Sequence, residues 1–283
     1  MVSWLGFGIA STVTKSFMHF LPAAAGIGAP YPVDLKVTVG GSALPRRTLT
    51  VEGARLGHPD GFRLEEAVPA LNQQVSGMYL LQVDLAPSQQ RVDLSTSGII
   101  IELQYQQGAV RYLPRRINSH IEGGKAKSLS GESQTSGTLG SIMARGVFNP
   151  DAGISTGFAL RDPTLFASIV ILNSTASPIV ARIYSSRMEE SVGTVTIAPD
   201  SVKECDLVEL GLTRATKLDC TWGAVEVEAF RVSFENPPQL AEENPSNLDA
   251  ESKASQAILG AAAAAYVVYR DRNSRRISSV VAL

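Results

Sequence analysis

Little in this chain is of the kind that grips nucleic acid or metal. Aromatic residues are 6% and charged residues 18% of the sequence, with a formal net charge of −2 and a pI near 6.0. A nucleic-acid binder needs a basic stripe interleaved with stacking aromatics. Basic groups here gather only at Arg111 to Arg116 and Arg270 to Arg276, and both read as solvated surface charge. No nucleic acid is therefore expected as a partner.

The two cysteines, Cys205 and Cys220, cannot build a zinc site without a histidine pair, and none stands near them. They are expected on neighbouring strands. A hairpin-spanning disulfide between Cys205 and Cys220 is geometrically open to them there, and two buried thiols is the other reading. His19, His58 and His120 stand far apart, with no serine, cysteine or carboxylate motif framing them. His58 sits in a His-Pro-Asp-Gly turn, His120 in a linker, and His19 on a predicted strand. Asp60, Asp162 and Asp200 lack the dense acidic loop that calcium requires and read as turn formers. Glycine-rich phosphate loops and His-Glu-x-x-His are absent from the sequence. No catalytic residue, metal or cofactor is expected.

A clear secretory signal is lacking as well. Residues 1–21 are apolar but carry no basic start, and Lys15 and His19 interrupt them. The chain is then cytosolic, exported by another route, or begun internally. Its low charge and abundant Ser, Thr, Gly and Ala favour an extracellular or cell-surface setting.

What is present is period-two alternation of β-branched residues, the signature of strands. Runs at Val33 to Val39, Thr48 to Val51, Met78 to Leu85, Ile99 to Tyr105, Ala167 to Leu172, Ile179 to Tyr184, Thr194 to Ile197 and Ala224 to Phe234 are separated by turn residues. Four stretches recur in order and keep their inward/outward phase. Gly6 to Ile9 matches Gly157 to Leu160, Pro32 to Val37 matches Pro178 to Ile183, and Thr48 to Val51 matches Thr194 to Ile197. Ile101 to Gln104 matches Val225 to Glu228. On the same alignment His19 stands where the second copy has Val170. A one-residue slip would invert each strand's faces, so agreement in phase points to a duplication.

The expected fold is all-β: two tandem β-sandwich domains, Ig-like or jelly-roll-like, with a C-terminal helix. The first domain spans 1–117 and a Gly/Ser-rich linker or long loop 118–138. The second domain spans 139–235, followed by an acidic, proline-containing spacer at 236–253. An alanine-rich helix is predicted over 254–272, with a tail at 273–283. Its sixteen uncharged residues from Ala254 to Tyr269 fall short of the ~20 apolar residues of a membrane span, so the helix is expected to dock on protein, with membrane association left open.

Paired carboxylates, as acid/base chemistry needs, are present. Glu226 and Glu228 lie two apart on one predicted strand, about 6–7 Å from each other on one face, a separation glycosidases use. Glu102 and Gln104 occupy the matched positions, as a solvated outer face would. Glu65-Glu66 and Glu189-Glu190 are adjacent and point apart. Asn173-Ser174-Thr175 fits the glycosylation acceptor pattern.

The stretch 157–210 resembles a β-sandwich module of uncharacterised bacterial surface proteins. A strand ending in an Asn-Ser/Thr turn (Ser168 to Thr175) precedes a proline-led strand (Pro178 to Tyr184), then a segment with Pro199, Ser201, Val202, Asp206 and Leu207. The resemblance implies architecture and a surface setting and transfers no functional residue. The first copy departs from it, with Pro22 in place of Asn173. The expected function is a non-enzymatic structural or binding protein acting in surface adhesion or assembly, with protein subunits as partners and carbohydrate as a further one. A double jelly-roll capsid or filament subunit is the alternative, and a polysaccharide-acting enzyme the second.

Overall fold

The computed structural model describes residues 2–21, 33–41, 44–51, 61–69, 71, 77–87, 98–118, 120–122, 125–127, 148–149, 154–160, 164–185, 191–207, 209–210, 216–220, 223–235 and 263–283. They are almost all strand, with one four-residue helix, and every sheet is antiparallel. The chain divides into two compact units, Met1–Ser119 with Asp200–Val202, and His120–Pro199 with Lys203–Leu283.

The first unit holds β1 (Val2–Ala10), β2 (Lys15–Leu21), β3 (Val33–Gly41), β4 (Leu44–Val51), β5 (Phe62–Arg63), α1 (Leu64–Ala67), β6 (Gly77–Pro87), β7 (Gly98–Tyr105), β8 (Gly108–Tyr112) and β9 (Arg115–Asn118). One sheet has the order β4-β3-β6-β1-β9 and the other β5-β2-β7-β8. Alternation decides the faces. Along β3, Leu35, Val37 and Val39 are buried while Lys36 is exposed, and along β7, Ile99, Ile101 and Leu103 are buried while Gln104 is exposed. Burying one such side chain contributes about 1.5–3 kcal/mol. Opposite Gly8 across the β1–β6 pair lies Tyr79, fully buried. A Cβ at Gly8 would sit 2.1 Å from the tyrosine Cζ, so only glycine leaves room for the ring.

Two short strands, β10 (His120–Glu122) and β11 (Lys125–Lys127), form a hairpin inside the segment expected to be a linker. Hence 118–138 is not plain loop throughout. The second unit then runs β12 (Phe148–Asn149), β13 (Ile154–Leu160), β14 (Leu165–Asn173), β15 (Ile179–Ser185), β16 (Ser191–Ile197), β17 (Ser201–Asp206), β18 (Thr216–Cys220), β19 (Gly223–Glu235), β20 (Ala263–Asp271) and β21 (Ile277–Ala282). One sheet has the order β12-β13-β19-β15-β16, with β18 also on β19, and the other β17-β14-β20-β21. Ile169 and Ile171 of β14 and Ala263, Ala265 and Val267 of β20 share one core with Ile179, Ala181 and Ile183 of β15 and Phe230, Val232 and Phe234 of β19.

The alanine-rich C-terminal helix is corrected by this sheet. Residues 263–271 are a strand, and 254–262 lie outside the described residues. Alanine favours helix intrinsically, but tertiary context overrides so weak a preference. Each small side chain here faces a larger one on β14: Ala263 opposes Asn173, Ala264 opposes Leu172, and Ala265 opposes Ile171. The second unit thus draws two strands from beyond residue 235.

The two units share one strand order. Replacing β1, β2, β3, β4, β5, β6, β7 and β8 by β13, β14, β15, β16, β17, β19, β20 and β21 converts β4-β3-β6-β1 into β16-β15-β19-β13 and β5-β2-β7-β8 into β17-β14-β20-β21. The sheet position beyond the first strand breaks the correspondence: β9 follows its unit in the chain and β12 precedes its own. Three of the four sequence matches fall on corresponding strands. The fourth does not, because Ile101 to Gln104 lie on β7 and Val225 to Glu228 on β19, whereas β7 corresponds to β20. An immunoglobulin domain groups its first, second, fifth and fourth strands against its third, sixth and seventh. Here the first strand lies beside the sixth and the seventh beside the second, so the order is not Ig-like.

Candidate functional site

The sequence offers no reactive constellation, and among the described residues three clusters of polar side chains stand out. On the first unit's four-stranded sheet, Glu102 of β7 stands between the two strands that flank it. Arg111 of β8 donates from Nε to Glu102 Oε2 at 2.6 Å, and His19 Nε2 of β2 lies 3.2 Å from the same oxygen. Arg111 pairs directly with Glu102 across the ladder, and His19 reaches it diagonally, two positions beyond Phe17. The glutamate is 7% exposed. Glu102 is therefore not the solvated partner of Gln104 that alternation implied; its two neighbours cover it. The His19 ring also fixes Gly61: a Cβ there would meet Cε1 at 2.6 Å, and the backbone φ of 76° already favours glycine.

Glu65 of α1 sits at the end of β2, where its Oε1 accepts the Ser16 N–H at 2.7 Å and so substitutes for a ladder partner. Ser16 Oγ in turn accepts the Ile9 N–H at 3.1 Å and donates to the Ile9 carbonyl. Burial pushes the Glu65 carboxyl above its ordinary value, against the pull of the Ser16 N–H, its own N–H, Arg63 and Lys15. The fully buried Tyr79 phenol is pushed well up by burial, with Ser16 opposing the shift and Glu65 reinforcing it. Glu66, the next residue, points to solvent, so this carboxylate pair does diverge.

In the second unit, Glu204 of β17 accepts from Ser168 of β14 at 2.6 Å and from Arg270 of β20 through two nitrogens, at 2.8 and 3.0 Å. A bidentate arginine–carboxylate contact fixes both direction and distance. Burial acts to raise the Glu204 carboxyl, but the hydrogen bonds from Arg270 and Ser168 outweigh it and hold the group below its ordinary value. Arg270, grouped by sequence with freely solvated charge, is thus mostly covered; its side chain is 18% exposed.

Asn173 of the acceptor pattern is completely buried. Its Nδ2 lies within 2.9–3.2 Å of the Ser177, Ile197 and Ala198 carbonyls, and its Oδ1 accepts from the Thr175 N–H and hydroxyl. The residue is a corner brace between the β14–β15 turn and the end of β16. A glycan on Nδ2 would take the nitrogen these carbonyls use.

The other predicted positions do not converge. Cys205 is a buried free thiol on β17, raised by burial. Cys220 ends β18, which belongs to the other sheet, so the two cysteines are not on neighbouring strands; the Cys220 side chain lies outside what is described. Glu226 and Glu228 are both on β19, opposite Lys217 of β18 and Ala159 of β13 respectively, and their side chains are likewise outside the description. The same holds for the side chain of His120 on β10. His58, Asp60, Asp162, Glu189 and Glu190 fall outside the described residues altogether. Asp200 occupies the turn before β17 with φ 47°. Among the described residues no group of His, Cys, Asp and Glu could hold a metal ion, and no helix is long and apolar enough to cross a membrane. Each of the three clusters ties neighbouring elements together and offers no paired acid and base aimed at a common point.

Neither protein-family models nor curated protein sequences match the chain.

Proposed function

We infer that this chain is a non-enzymatic structural or binding protein that works by assembling with protein partners. In this reading each unit is a β-sandwich, and the two arose by duplication. One observation carries it: two units with the same order of eight strands stand in tandem, and in each a glutamate and an arginine join strands of one sheet. Glu102 with Arg111 and Glu204 with Arg270 neutralise the sheets they decorate, as stable building blocks require. Repeated units give a protein repeated surfaces, and repeated surfaces suit assembly. The low overall charge favours a surface setting, as the resemblance of 157–210 to bacterial surface modules also suggests.

Light scattering coupled to size-exclusion chromatography tests this reading on the full chain. Defined oligomers that grow with concentration are expected, and a monodisperse monomer throughout the accessible range contradicts it. The tandem arrangement suits a shell or filament subunit equally, and closed particles or fibres under the electron microscope would select that form. If a glycan panel reveals turnover that Glu226→Gln with Glu228→Gln abolishes, the protein is an enzyme instead.

A further inference from the structure

We propose that β21 is the strand through which two copies of this chain join, edge to edge, in antiparallel pairing centred on Val280. The proposal rests on the assembly reading above and names its surface. β21 is the last strand of its sheet. It pairs with β20, and among the described residues no strand lies on its other side. Leu283 N–H donates to the Ala265 carbonyl at 2.9 Å. Antiparallel bonding alternates along a strand, so Leu283, Val281 and Ser279 turn their backbone groups towards β20. Val280 and Ala282 turn theirs outward, and at Ser278 a bulge shifts the ladder by one residue.

The sequence of this edge is permissive. Ile-Ser-Ser-Val-Val-Ala contains neither charge nor proline, two of the devices that protect a sheet edge, and its bulge lies at Ser278, before the Val280–Ala282 stretch. Ser278, Ser279, Val281 and Ala282 are exposed. The corresponding edge strand of the first unit is β8, which carries the charged Arg111, its side chain 67% exposed.

Val281 supplies the second observation. Ladder register runs from Met18 to Ile101 to Tyr112 in the first unit, and from Ile169 to Val267 to Val281 in the second. Val281 thus stands where Tyr112 stands, on the core side of its sheet. Tyr112 is 5% exposed, whereas Val281 is 46% exposed. An apolar core-side residue is left facing water beside an unprotected strand.

A second copy satisfies both features at once. Pairing about Val280 places Ser278 opposite Ala282 of the partner subunit and Ser279 opposite Val281 of the partner subunit. Val280 then exchanges N–H···O bonds with its mate, Ala282 turns its backbone groups towards the partner strand, and no like charges meet. The contact is isologous, so it closes as a dimer.

Sedimentation velocity on the full chain tests the contact, with Val280→Lys setting two ammonium groups at the two-fold axis. Ala282→Pro removes an outward N–H that β20 does not use. The intact chain should form a dimer, and each variant should weaken association by roughly tenfold or more, with circular dichroism unchanged. Ala109→Lys on β8 should leave association as it was. Hydrogen exchange on the unaltered protein gives a measurement independent of any variant: the Val280 and Ala282 amides should become slower as concentration rises. Folded variants that associate normally, or amides whose exchange ignores concentration while the chain oligomerises, overturn the edge contact and leave assembly through another surface standing. A chain that stays monomeric overturns both.

Discussion

Tyr112 stacks on Phe7 and also caps its backbone. The ring centroids are 5.0 Å apart with planes 22° from parallel, and the tyrosine hydroxyl both accepts the Phe7 N–H at 2.7 Å and donates to the Phe7 carbonyl. Phe7 belongs to β1, whose pairing with β9 ends at Leu5. The side chain of β8 therefore supplies, at Phe7, the bonds that a neighbouring strand would have made, and it links the two sheets of the first unit.

Tyr112→Phe isolates the polar part of this closure. It keeps the ring and removes the two hydrogen bonds to the Phe7 backbone, a loss of about 1–3 kcal/mol. Tyr112→Ala also removes the packing and should cost about 3–5 kcal/mol in all. Urea titrations of the three proteins decide it; a Phe variant as stable as the parent would show that the hydroxyl contributes nothing.

Gly8→Ala should be among the most damaging single changes in the first unit. The new methyl would sit within 2.1–2.7 Å of three Tyr79 ring and hydroxyl atoms, and a fully buried tyrosine has nowhere to turn. Overpacking of this kind costs about 1–3 kcal/mol or more. Adding Tyr79→Leu to Gly8→Ala should recover part of the loss, a coupling that a double-mutant cycle by thermal unfolding would detect.

Asn173→Ala strands up to three carbonyls at the corner of the second unit and should destabilise it by about 2–3 kcal/mol. Asn173→Asp should do no better, because a carboxylate repels the carbonyls that the amide nitrogen now serves. Denaturation curves in which either variant matches the parent would remove the brace from the account.

Glu204 and Glu65 should respond to pH with opposite signs. Both depart from an ordinary value of 4.5, Glu204 downwards and Glu65 upwards. A lowered folded-state value means that Glu204 contributes stability above the unfolded value, and this is lost as pH falls through the folded one. A raised value means that Glu65 contributes fully only below 4.5, and the contribution is lost as pH rises through its folded value. At neutral pH Glu204→Gln should therefore be less stable than the parent, by about 1 kcal/mol for a partly covered pair, with the gap narrowing on acidification. Glu65→Gln should compare best with the parent at neutral pH and lose that advantage in acid. Unfolding free energies across the acid range would show gaps of the wrong sign if either cause were misassigned.

The sequence disclosed strands where one face meets water. β3, β15 and β16 alternate, and the alternation marks them as strands. β20 does not alternate, because it is covered on both sides; a continuous apolar run rich in alanine has no periodicity to separate strand from helix. The same blindness misplaced the fourth repeat. A run such as Ile-Glu-Leu-Gln resembles any half-exposed strand, and its structural counterpart, Ala-Ala-Ala-Tyr-Val-Val-Tyr, resembles it in nothing local. The polar clusters were illegible for a related reason. Glu102 is buried by residues 83 positions before it and nine after it, His19 and Arg111, and Glu204 finds Ser168 and Arg270 on strands distant in sequence. Only the ladder brings them together. Asn173 alone was visible beforehand, and its three-residue pattern suggested an exposed acceptor where the fold uses a buried brace.

The late position of β20 sets a timetable for synthesis. β14 has its ladder partner roughly 90 residues downstream, which at ribosomal speeds of ~5–20 residues per second is a delay of several seconds or more. During that interval Ile169 and Ile171 lack half of their sheet, while the first unit, whose strands have all emerged, is free to close. The nascent second unit is thus the stage at which chaperones or premature partners would find the molecule most vulnerable.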